Sequence, residues 1–239
     1  MKFLVMQLRG CMKIKNFAII ISVALIISLF FNGYSYSALN NSKSQINDLK
    51  AQIKEHTLGF TDKANVYDTN FHDLLQEHTF LLISAARRSI DSSAAFNDSY
   101  KALQTNIQEV GAQISSIYGD EVGNQFVALW TSKIKNFISY TDAVKNNDLS
   151  ANSVFASNME NYEEKSSTWW STLNPNIDKS TIKQSITDHV NNVKEALDFW
   201  EAKDYPDYFS KQHDSYTQIG DYSDIIVTGI VKQHPELFE

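Results

Sequence analysis

The chain has 239 residues, with 21 basic and 28 acidic side chains and a formal net charge of −7. Such an acidic balance repels phosphate backbones and so disfavours nucleic-acid binding as a function class. With 12% aromatic residues, about 200 residues behind any leader are enough to bury a core, so one compact domain is expected.

The first 37 residues carry Lys2, Arg9, Lys13 and Lys15, no acid, and then the apolar run Phe17–Phe31. Asn32-Gly33 and the small residues around Ser35 and Ser37 follow. This is the layout of a secretory signal cut after Ser37, and Met12 opens a more typical leader than Met1 does. As a helix the run spans roughly 22 Å against the roughly 30 Å of a bilayer core, which favours cleavage over a retained anchor. The expected location is therefore secreted or extracytoplasmic, with membrane attachment only through residues 17–31 if the leader stays. Without the leader the charge becomes 17 basic against 28 acidic residues, or −11. Cys11 is the only cysteine, so the mature chain has no disulfide, thiolate metal site or cysteine nucleophile. An exported chain of this size without disulfides points to a bacterial envelope.

Only eight glycines and three prolines occur, and apolar residues recur at helical spacing, which predicts an all-α fold. Ile46, Leu49 and Ile53 predict a short stalk helix over Ser42–His56, and Thr57–Asp68 reads as a linker. Beyond it, three helical hairpins are expected, occupying about 69–119, 120–176 and 177–239. The first runs from about Thr69 to Asp91 and back from Phe96 to Tyr118. The second runs from Glu121 to Lys145 and back from Ser150 to Leu173. The third has Ser180 as N-cap, runs to about Ala202, turns at Asp204-Tyr205-Pro206 and returns to Gln233. Short turns force antiparallel packing of neighbouring helices.

The hairpins share an internal repeat whose period, about 55 residues, is long enough for one antiparallel helix pair. Leu74–Leu82, Leu129–Phe137 and Ser185–Val193 overlay, with Glu77-His78, Ser132-Lys133 and Asp188-His189 in the central slot. Three copies of this length favour a closed, pseudo-symmetric up-and-down bundle over a stacked solenoid.

Helical spacing from Leu74, Leu75, Leu81 and Leu82 turns His78 toward the interior, and His189 holds the matching place beside Ile186, Val190 and Val193. With Glu77 and Asp188 the two imidazoles offer a donor set for a divalent transition metal, and Lys133 offers an anion-binding group in the same centre. Adjacent helical residues point about 100° apart, however, so an acid and its neighbouring histidine do not readily share one ion. The competing reading makes the histidines satisfied members of a buried hydrogen-bond network. Asn106 and Asn161, at equal offsets beyond His78 and Lys133, bring amides toward the same level, and His213 is placed to approach His189 as its hairpin partner. Trp130, Trp169-Trp170 and Trp200 line either a core or a ligand groove. The mature chain contains no nucleophile elbow, metalloprotease helix, phosphate loop, dinucleotide fingerprint or calcium loop.

The Glu77-His78 helix, Asn106 to Gly111, Asn174-Pro175 and the ending Gly229-Ile230-Val231-Lys232-Gln233-His234-Pro235 together resemble a family of small exported helical proteins of Gram-positive bacteria. That family is marked by a glutamate-histidine pair in early helices and a terminus close to G-I-V-x-Q-F-P. The resemblance covers about Asn70 to Phe238 and implies a tandem-helix fold with no established activity. The sequence departs from the pattern at Lys133 and at His234. The expectation is an exported, non-enzymatic bundle of the cell envelope that binds an unidentified protein or small-molecule ligand, the alternative being a metal-binding bundle with a redox or hydrolytic role.

Overall fold

A computed structural model describes residues 61–239; the leader, the stalk helix and residues 57–60 lie outside the described residues. Six helices follow one another: α1 Asp62–Ile90, α2 Phe96–Tyr118, α3 Asp120–Lys145, α4 Ala151–Leu173, α5 Lys179–Glu201 and α6 Tyr205–Gln233, with a single 3-10 turn at Pro235–Leu237. The fold is all-α, as the spacing of apolar residues requires.

Each helix packs on the next, and α6 packs back on α1, which closes the six into a ring. The short connections make successive helices antiparallel, so α1, α3 and α5 run the same way. Helix α1 also touches α3 and α5 across the middle. The arrangement is that of an up-and-down bundle of three helical hairpins. One buried cluster fills it, centred on Phe126, Trp130, Phe137, Trp170 and Tyr222.

Two boundaries differ from expectation. Helix α1 begins at Asp62, inside the stretch expected to be linker up to Asp68. Thr61 caps it by accepting from the Ala64 N–H, and Ala64, Tyr67 and Phe71 carry the buried stripe one turn further back. The chain's end fixes this extension: the Thr61 hydroxyl donates to the Phe238 carbonyl, and the Tyr67 ring meets that of Phe238 edge-on at 5.7 Å. Helix α5 is capped by Asp178 rather than Ser180, because its carboxylate accepts the Thr181 N–H at 2.8 Å.

The three hairpin turns are built alike. Ser92, Asn147 and Lys203 have φ of 53°, 56° and 61°, the left-handed conformation that ends a helix in a Schellman motif. In each, the next residue's N–H returns to the helix, from Ser93 to the Arg88 carbonyl at 2.9 Å, Asp148 to Ala143 at 2.9 Å and Asp204 to Phe199 at 2.8 Å. The turns recur with the period of the repeat, so Ser92, Asn147 and Lys203 stand at one constant offset beyond His78, Lys133 and His189 respectively. That offset is about four helical turns, which sets the three side chains at one level, about 21 Å from the turn end.

None of the three left-handed residues is glycine, and only asparagine adopts that conformation with ease. Replacing Ser92 or Lys203 by glycine is expected to raise unfolding stability by about 0.5–1 kcal/mol, and Asn147→Gly by less. Urea titration of the three variants checks this order; a loss at Ser92 or Lys203 would contradict the turn geometry.

Candidate functional site

The level shared by the three repeats is the polar centre of the bundle. His78 on α1, Lys133 on α3 and His189 on α5 are 0%, 2% and 3% exposed. The repeat thus brings its three central residues together, and all three are basic.

Trp130 organises two of them. The His78 ring meets the indole edge-on with centroids 4.5 Å apart, and Lys133 Nζ stands 3.5 Å from the indole centroid. An ammonium over an aromatic face gains cation–π stabilisation, more so when desolvated. Trp130 is held in turn by Phe126 at 5.0 Å and Tyr222 at 5.9 Å, and the Tyr222 hydroxyl accepts from Trp170 Nε1 at 2.8 Å.

Asn106 on α2 orients His78. Its Nδ2 donates to the Leu74 carbonyl at 3.0 Å and to Glu77 at 3.2 Å, which leaves its Oδ1 facing His78 Nδ1 at 3.2 Å. This arrangement places the imidazole proton on Nδ1 and leaves Nε2 buried without a partner. Neither ring nitrogen of His189 has a hydrogen-bond partner of good geometry.

Burial dominates the electrostatics. Desolvation holds Lys133 down to about 7 from 10.5. It also holds both imidazoles well below their usual range, with the nearby Lys133 pushing the same way; Asn106 opposes this at His78 and the Ser215 backbone at His189. Among the described residues no carboxylate forms an ion pair with Lys133.

The other candidate residues lie outside this centre. Glu77 is exposed and reaches inward only to Asn106, while Asp188 is exposed and accepts from Gln184 at 2.8 Å. The two arginines of α1 pair with neither acid: Arg87 stacks 4.0 Å from the Trp200 ring and donates to the Tyr208 hydroxyl, and Arg88 donates to Ser84. Asn161 is exposed because α4 buries the stripe Phe155, Met159, Tyr162 and Ser166, one residue out of step with the face that carries Asn106 in α2. One residue is about 100° on a helix, enough to turn Asn161 to solvent. His213 is exposed and does not face His189; it lines a groove of about 260 Å³ between α1 and α6, with Thr79, Phe80, Ile83, Phe209, Gln212 and Tyr216. Trp130 and Trp170 belong to the core.

The described residues bring together no group of three histidine, cysteine or acidic side chains suited to a metal. At the centre itself a divalent ion would meet two imidazoles and a lysine with no anionic ligand to offset its charge. The α1/α6 groove escaped sequence reasoning because Phe80 and Phe209 are joined only by ring closure. No family model, curated protein or solved structure matches the chain.

The pH dependence follows from the burial of these bases. A base whose folded-state pKa lies below its unfolded one binds more protons when unfolded, so stability falls as pH falls. The Lys133 contribution is fully present above 10.5, declines by up to about 1.4 kcal/mol per pH unit and is lost by about 7. Below 6.5 the imidazoles add a second decline. In dilute halide-free buffer, Lys133→Met is expected to flatten the profile between 10.5 and 7 while keeping the acid limb, and to exceed the wild type at neutral pH by about 1–4 kcal/mol. Chemical unfolding across that range checks it; parallel profiles would refute a desolvated amine.

Proposed function

We propose that this protein is an exported, non-enzymatic helical-bundle protein of the cell envelope that binds a small ligand or a side chain of a partner in the α1/α6 groove. The observation that carries the reading is the exposure of Phe80, Phe209 and Tyr216, at 53%, 59% and 42%, around one concavity. Scattered apolar residues on a surface need no explanation, but three large aromatics gathered at a concave seam are the composition of a binding hot spot. His213, Gln212 and Thr79 supply polar groups at the same place. The volume, about 260 Å³, suits a compact organic group rather than a large cofactor.

Export is supported by the leader-like first 37 residues, and the resemblance to exported tandem-helix proteins of Gram-positive bacteria points the same way. The basic centre is a poor place for ligand turnover, since its three side chains are at most 3% exposed.

A fragment screen read by amide chemical shifts tests the groove. Bound compounds are expected to perturb Thr79, Phe80, His213 and Tyr216, and Phe209→Ala is expected to weaken them about tenfold or more without lowering the melting temperature. Binders that map elsewhere and ignore Phe209→Ala would refute the assignment. Fractionation of cells producing the full chain tests export separately, with retention in the cytoplasm as the contrary result.

A further inference from the structure

Among the described residues, Lys133 is the only buried lysine or arginine, and it has no carboxylate beside it. An isolated ammonium in an apolar interior is costly unless it is neutralised or paired. The face of Trp130 offsets part of that cost on one side only.

Among the described residues no carboxylate pairs with Lys133, and Glu77 reaches inward only as far as Asn106 Nδ2, at 3.2 Å. Helix α1 contributes His78 and α5 contributes His189; α2 contributes Asn106, and Tyr222 of α6 packs on Trp130. The one buried acid among the described residues, Glu163 on α4, accepts from the Thr187 hydroxyl at 2.8 Å and interacts electrostatically with Lys183 rather than Lys133. Meanwhile His189 meets the Ser215 backbone only in poor hydrogen-bond geometry, and His78 Nε2 is buried without a partner. Basic groups from three helices thus face one another at a single level with hydrogen-bonding capacity to spare.

We propose that the centre of the bundle is a binding site for one small monovalent anion of halide size, held by Lys133 Nζ and a ring N–H of His189, with His78 on the third side. The sign of the guest follows from the residues, because a cation would add to an already basic cluster. A small guest is proposed because the three side chains are at most 3% exposed. The depressed pKa of Lys133 is the cost such an anion removes, so binding and protonation of that amine assist one another. This site is independent of the α1/α6 groove and stands or falls separately.

The test uses the full chain and bromide. Melting temperatures near pH 6 are compared in sodium bromide and sodium gluconate at equal concentration, for the wild type and for Lys133→Met. The wild type is expected to melt about 5 °C higher in bromide at saturation, and the variant to show no such gain. Because gluconate as an excluded solute favours compact states, a non-specific salt effect has the opposite sign. Crystals grown in bromide are expected to show one anomalous peak beside Lys133 Nζ, a readout that survives if the variant does not fold. Equal melting in both salts, a bromide gain kept by Lys133→Met, peaks only at the surface, or one tightly held divalent metal per chain by elemental analysis would each overturn the proposal.

Discussion

Closing six antiparallel helices into a ring obliges whatever occupies the inward slot of each hairpin to share one buried space. In this chain the slot holds two imidazoles and an amine, and the rest of the centre answers to that fact. Asn106 fixes one imidazole, the Trp130 indole lies between it and the amine, and Phe126, Trp170 and Tyr222 hold the indole in place. Hydrophobic burial by the surrounding aromatics must outweigh the desolvation of three bases, and the depressed titration of all three records that opposition.

The helices were legible because glycine and proline are scarce and the turn residues stand out between long periodic stretches. The repeat was legible too, since it rests on apolar spacing that survives in all three copies. What failed were inferences that needed the rotation of one helix against another. Asn161 shares its register with Asn106, yet α4 buries a stripe displaced by one residue. His213 belongs to the hairpin partner of α5 but faces the seam with α1. The start of α1 was concealed by polar residues around it; Ala64, Tyr67 and Phe71 at helical spacing were the signal that could have revealed it.

The acid-histidine pairs illustrate the same limit from another side. Sequence sets Glu77 beside His78 and Asp188 beside His189, but a helix turns neighbours apart, so each pair is split between interior and solvent. Thr79 and Phe80 continue this rotation on α1 and bring the chain into the groove shared with α6. From His78 through Thr79 to Phe80, α1 therefore serves the polar centre, the interior wall of the groove and its exposed aromatic rim. Interior chemistry and surface recognition are set side by side on one helical turn.

The constant distance from centre to turn has a counterpart on the other side of the slot. From helix start to slot, α1 runs from Asp62 to His78, α3 from Asp120 to Lys133 and α5 from Lys179 to His189, each span about one helical turn shorter than the one before. The outgoing helices α1, α3 and α5 thus differ in length only at the end remote from the hairpin turns. A single residue gained or lost on the turn side would swing a basic side chain by about 100° and carry it out of the centre, whereas the remote side can lengthen or shorten without moving it. The hairpin turn acts as a gauge block: it measures the slot's depth in each copy, and drift among the three has been confined to the side where that measurement is not taken.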